Sequence, residues 1–163
     1  MIRDAMASDA NAISGIYNHY IQSAAATFEE ECLSAQVISR RIGEIQEAGF
    51  SWLVAEEEGE VSGYAYSSKW QERSAYRHTA EVTVYISHDT TSRGLGTLLY
   101  KELFSRLRES AIHTVVAVIV LPNDASVALH EKFGMVQAAH FKQVGYKFDQ
   151  WLDVGYWQVQ LNA

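Results

Sequence analysis

Cysteine is nearly missing from this sequence. Cys32 is the only one, which excludes an internal disulfide and any metal cluster built on cysteine. Cations are scarce too: 13 Lys and Arg stand against 20 Asp and Glu, a formal net charge of -7. Nonspecific binding to nucleic acid depends on clustered cations that neutralise phosphates, so nucleic acid is not an expected partner. Long apolar runs are absent. The longest, from Val115 to Leu121, is the size of a strand and far short of a bilayer span, so membrane spanning is not expected. The N-terminus carries neither the basic nor the apolar half of a secretory signal, and a cytoplasmic location is the expectation. Repeats, linkers and low-complexity segments are also lacking.

What is present is ordinary globular composition. With 163 residues, 48% hydrophobic and 20% charged, the chain is expected to form one domain, 1–163, able to bury most of the surface it exposes when unfolded.

The order of elements is mixed. Ile2 and Arg3 open a short strand, Ser8 or Asp9 caps a helix bearing Ile13, Ile16, Tyr17 and Tyr20 on one side, and a second helix follows Ser34 with Val37, Ile38, Ile42 and Ile45, ending near Gly49. "SWLVAEEEGEVSGYAYSSKW" reads as two strands about a turn at Glu58 and Gly59, and "TAEVTVYIS" as a third, rich in β-branched residues. A helix with Leu95, Leu98, Leu99, Leu103, Phe104 and Leu107 on its inner face then leads to the apolar strand "VVAVIVL", a βαβ crossover. Pro122, Asn123 and Asp124 break the pattern, a short helix runs to Phe133 with Gly134 as its cap, and two strands surround "GYKFDQWLDVGYW".

Two glycines, Gly94 and Gly96, stand between the third strand and the long helix. A helix start preceded by glycines offers unpaired N–H groups and the positive end of the helix dipole, which together hold a phosphate or pyrophosphate. Taken alone, the pattern fits a tight strand-to-helix connection without a ligand equally well. The usual nucleotide sites are poorly supported: no G-K-[ST] follows, and no acidic residue ends a Rossmann-type strand.

"TAEVTVYIS", "GLGTLLY", "VVAVIVLPNDASVALHEKFGM" and "WLDVGYWQ" together resemble the GNAT acyltransferases, and within them the phosphinothricin and methionine sulfoximine or sulfone N-acetyltransferases. The likeness covers almost the whole chain. It implies an α/β (α+β) GNAT fold: a mixed, mostly antiparallel sheet flanked by helices, with a bulge that splays one parallel strand pair into a slot for acetyl-CoA. The implied activity is transfer of acetyl from acetyl-CoA to the α-amino group of a small amino acid, without a metal. Ser92, Arg93, Gly94, Leu95, Gly96 and Thr97 match the pyrophosphate loop, Val84, Tyr85 and Ile86 the strand that pairs with the pantetheine arm, and Asn123 and Ser126 further cofactor contacts. The family's Arg or Gln three residues before the first motif glycine is Thr91 here, and Arg93 stands in as the expected cation. From the residues alone, Asn123 reads instead as a helix cap.

Acetyl transfer to an amine needs a neutral nitrogen, a polarised thioester carbonyl and help for the leaving thiolate. Glu81 matches the family's active-site glutamate, a general base; read by itself it is a solvated carboxylate. His130 stands where many GNAT enzymes have the tyrosine that protonates the thiolate, and a helix-surface or core histidine is its plain alternative. The other five histidines lack metal-ligand spacing. For the acceptor, the resemblance points to an arginine in "WQERSAYRH" that binds the substrate carboxylate, Arg73 or else Arg77, with Gln71, Glu81, Val82 and Thr83 on further substrate positions. Phe28, Tyr76, Phe148 and Trp151 are candidate pocket walls. The aromatic C-terminal "KFDQWLDVGYWQVQL" suggests a homodimer contact. Protein N-terminal acetylation and a noncatalytic acetyl-CoA sensor are the competing readings.

Overall fold

The computed structural model describes residues 1–90 and 94–162, so Thr91, Ser92 and Arg93 of the expected pyrophosphate loop lie outside the described residues. Eleven main elements follow in chain order: β1 (Ile2–Asp4), α1 (Ala10–Ser23), α2 (Ala35–Glu47), β2 (Trp52–Glu57), β3 (Glu60–Lys69), β4 (Thr79–Ile86), α3 (Leu95–Arg108), β5 (Thr114–Leu121), α4 (Asp124–Lys132), β6 (Val136–Lys147) and β7 (Gln150–Gln160).

Local signals set several of the boundaries. The Ser34 hydroxyl accepts the Val37 N–H at 3.2 Å and starts α2. Asp9 directly precedes α1 without capping it; its carboxylate takes the Met6 N–H and the Arg3 guanidinium instead.

Strand alternation decides the layers. Trp52 and Val54 of β2 pack with Ile13, Ile16, Ile38 and Ile42 of α1 and α2. Leu53 and Ala55 turn to the opposite face, against Leu99, Leu103 and Phe104 of α3. At β2 the sheet is therefore covered on both faces. Leu98, expected on the inner face of α3, is 50% exposed, because the stripe made by Leu95, Leu99, Leu103 and Leu107 already fills the side toward the sheet.

The strand order is β1-β2-β3-β4-β5-β7-β6. Every neighbouring pair is antiparallel except β4 with β5, which the α3 crossover makes parallel. Parallel pairing runs from Thr79 and Thr114 to Glu81 and Val116 and then stops, although β4 continues to Ile86 and β5 to Leu121. β4 remains paired with β3 as far as Gly63 and Ile86, without a register shift, and β5 with β7 as far as Leu121 and Asp153. The two halves of the sheet thus diverge and leave a slot. The bulge expected in this strand is not what opens it, since the register with β3 is unbroken; each strand follows its own antiparallel partner. Among the described residues, no helix is long and apolar enough to cross a membrane.

Candidate active site

The slot opens into a cavity of about 860 Å³ whose walls come from β4, β5, α1, α4 and the β6–β7 hairpin. Glu81 sits at its vertex, on the last paired position of β4 with β5. Along β4 the even positions, Ala80, Val82, Val84 and Ile86, pack toward α3. Glu81, Thr83 and Tyr85 therefore share the other face. Burial pushes the Glu81 carboxyl above its ordinary pKa, which suits a base that must take a proton near neutrality.

Tyrosines make much of the wall on that face. Tyr17 and Tyr20 from α1 approach Tyr85 edge-on or tilted, with ring centroids 5.2 and 5.1 Å away. The Tyr17 hydroxyl bonds to Thr27 at 2.8 Å and donates to Glu29, which Arg41 grips with both guanidinium arms. The Tyr20 hydroxyl donates to the Ile86 carbonyl. Phe28 closes the pocket from the α1–α2 loop, its ring lying so close over Gly145 of β6 that a Cβ there would come within 2.1 Å of Cζ. Lys147 ties the same two segments, its Nζ donating to the carbonyls of Ala24 and Thr27 at 2.8 Å each.

The positions that the resemblance assigns to the cofactor lie at the starts of α3 and α4. Gly94 precedes α3 with φ +80, the left-handed conformation that an L side chain resists. Gly96 has a different reason: a Cβ there would stand 3.1 Å from Leu129 Cδ2, so this glycine lets α4 approach α3. Beside it Lys132 donates to the Thr97 hydroxyl at 3.2 Å. Asn123 is the cap of α4, its Oδ1 accepting the Ser126 N–H at 3.1 Å, and it also lines the cavity with Ser126. Val84, Tyr85 and Ile86 run along one edge of the slot. Beyond Glu81 the main chains of β4 and β5 no longer pair with each other, and a pantetheine arm that lies between them can meet those amide groups.

His130 is 4% exposed and lines the cavity floor. Its Nδ1 is 2.7 Å from the Ser126 carbonyl and its Nε2 is 2.8 Å from the Tyr100 hydroxyl. Burial draws its pKa below the ordinary value, and the Ser126 carbonyl only partly opposes this.

Other expected positions fall elsewhere. Gln71 and Arg73 are exposed on the segment between β3 and β4 and do not line the cavity. Arg77, also exposed, donates to the Ser74 carbonyl and borders a separate cavity of about 200 Å³. Val82 and Thr83, by contrast, both border the cavity, Val82 with its side chain 3% exposed and turned into the core. Tyr76 stacks edge-on against Trp70, and Phe148 and Trp151 are outside the wall. Among the lining residues that sequence reasoning missed are Tyr17, Tyr20, Tyr66, Tyr100 and Val144; the spacing of Tyr17 and Tyr20 marks a helix face but reads as core. No group of three or more His, Cys, Asp or Glu suited to a metal ion occurs among the described residues.

A slot between diverging parallel strands, with a half-buried carboxylate at its vertex, fits the acyl-CoA transferase that the sequence resemblance implies. The chain belongs to the GNAT acetyltransferases. Residues 2–155 match the acetyltransferase (GNAT) domain family. The chain is 43% identical over 157 residues to a phosphinothricin N-acetyltransferase of Streptomyces viridochromogenes, covering 96% of this chain and 85% of the relative. It is 35% identical to an L-methionine sulfoximine/L-methionine sulfone acetyltransferase of Salmonella typhimurium, covering 99% and 94%. Among solved structures, an acetyltransferase of Salmonella typhimurium with its cofactor acetyl-CoA superimposes with a TM-score of 0.96 at 35% identity, covering 99% of this chain and 94% of that one. A ribosomal-protein-alanine N-acetyltransferase of Brucella melitensis does so with a TM-score of 0.95 at 34% identity, covering 98% and 99%.

Proposed function

We propose that this GNAT acetyltransferase moves the acetyl group of acetyl-CoA to the α-amino group of a small amino acid analogue of the phosphinothricin, methionine sulfoximine or methionine sulfone type. The observation that carries this reading is Glu81, a half-buried carboxylate placed where β4 and β5 part. Glu81 takes a proton from the acceptor ammonium, directly or through water, and the freed nitrogen attacks the thioester carbonyl. The new C–N bond forms, the attacking nitrogen gives up its second proton to water, the C–S bond breaks, and CoA leaves as thiolate. Gly94, Leu95, Gly96 and Thr97, with Ser92 and Arg93 of the same loop, hold the pyrophosphate. Val84, Tyr85 and Ile86 align the pantetheine arm, and Asn123 and Ser126 border it.

The pocket wall explains a small acceptor. Phe28, Tyr66, Thr83 and Val144 close round the space beside Glu81, leaving room for a compact side chain. Gln71 and Arg73 do not line that space within one chain, so a role for either on the substrate carboxylate requires a second copy that brings this segment near. The exposed apolar residues Val136, Phe141, Tyr146 and Trp151 on β6 and β7 supply a surface for the pairing. The likeness to a ribosomal-protein-alanine N-acetyltransferase makes a protein N-terminus the second reading. A thiol-release assay with amino acids, simple amines and N-terminal peptides decides between them. Turnover of methionine sulfone or phosphinothricin with silent peptides is the expected result; turnover of peptides alone overturns it, and acetyl-CoA binding without any turnover points to a sensor.

A further inference from the structure

The Ser126 carbonyl has no proton to give, so His130 Nδ1, 2.7 Å away, carries the hydrogen of that bond, and the Ser126 hydroxyl, 3.4 Å from the same nitrogen, is the longer contact. In the neutral ring Nε2 is then a bare lone pair, and the Tyr100 hydroxyl at 2.8 Å donates to it. Both ring nitrogens are committed to protein atoms. Tyr100 itself is 0% exposed, and its ring meets the imidazole edge-on at 5.1 Å between centroids. The hydroxyl has no other hydrogen-bond partner among the described residues that would draw its proton away from Nε2.

We infer that Tyr100 is a positioning residue which holds His130 as the neutral Nδ1–H tautomer, its Nε2 lone pair occupied, so that His130 gives no proton to the departing thiolate. The inference rests on the acetyl-transfer reading for its chemical meaning, but not for the tautomer. A thiol is an acceptable leaving group near neutral pH, because its ordinary pKa is about 8.5, and the thiolate can leave the slot to be protonated by water. The pair has a second consequence for the cofactor. Gly96 against Leu129, Thr97 with Lys132 and Tyr100 with His130 form one seam between α3 and α4, and these are the helices whose starts flank the cofactor side of the slot.

The groups round the imidazole are few. Ser126 lies one turn back on α4, Tyr100 and the apolar seam lie on α3, Glu81 and Tyr156 share the cavity from β4 and β7, and Lys132 is turned to Thr97. Among the described residues no charged side chain hydrogen-bonds to either ring nitrogen.

Two-bond 1H–15N correlation spectra of the whole protein read the tautomer directly. The expected pattern has one protonated nitrogen at Nδ1 and an unprotonated Nε2, unchanged through neutral pH. Tyr100→Phe removes the donor that favours the neutral ring, so His130 should gain a proton more readily, with its protonation constant up about tenfold, and KM for acetyl-CoA should rise more than KM for the acceptor. A hydrogen on Nε2 or a charged ring at neutral pH in the unaltered protein would overturn the inference, as would an identical His130 titration in folded Tyr100→Phe. The spectra of the unaltered protein answer the question even if the variant does not fold or no amino acid proves to be an acceptor.

Discussion

Glu81 on β4 lies opposite Val116 on β5, and the two are the last residues at which these parallel strands pair. The carboxylate therefore stands at the point where backbone pairing gives way to open space. Glu81→Gln keeps the shape and removes the base, so kcat should fall about a hundredfold with acetyl-CoA affinity nearly intact. Stopped-time thiol release and calorimetric titration check the two halves; an unaltered rate would take Glu81 out of the mechanism.

The same group sets a pH dependence. Burial raises its pKa, and a base works only when deprotonated. Activity should thus fall as pH drops through a value above the ordinary carboxylate range of about 4.3. That acidic limb should vanish from the residual kcat profile of Glu81→Gln.

Gly145 is a test of the acceptor wall. A Cβ at this position would come within 2.1 Å of Phe28 Cζ, and Phe28 is 39% exposed, with solvent on its outer side. Gly145→Ala should displace the ring and raise KM for the amino acid several-fold while leaving KM for acetyl-CoA in place. Equal change in both constants would show that the contact serves the fold in general.

Gly94 and Gly96 should answer differently to alanine. Gly94 has φ +80, where an L side chain costs about 1–2 kcal/mol, so Gly94→Ala should lower Tm by roughly 2–8 °C on thermal unfolding. Gly96→Ala presses on Leu129 Cδ2, the mobile end of a side chain, and should cost less. A larger loss at Gly96 would mean that the α3–α4 seam does not yield.

The dimer is tested through Trp151, which is 63% exposed, and not through Trp157, which is 3% exposed and part of the core. Light scattering at micromolar concentration should give twice the chain mass of 18.3 kDa, and Trp151→Glu should bring it to the single mass with KM for the acceptor raised. A clean single mass for the unaltered protein ends this reading.

Much of the fold was legible because its signals are local. Ser34 caps α2, Gly134 ends α4 at φ +84, and apolar periods of two and of 3.6 mark strands and helices within a few residues of themselves. The glycines at the start of α3 and the resemblance built on neighbouring motifs are local in the same sense. Tertiary structure alone decided where β4 and β5 part, because that depends on which antiparallel partner each strand follows. It also separated the two glycines, one needed for its backbone angle and the other for a leucine 33 positions along the chain. Tyr100 reads as one more apolar position on an amphipathic helix; only the approach of α4 puts His130 Nε2 within 2.8 Å of its hydroxyl. Phe28 and Gly145, and Lys147 with the carbonyls of Ala24 and Thr27, are joined across more than a hundred residues. A period or a cap is a property of one segment, whereas a pocket is a property of several, and no single segment carries the distances between them.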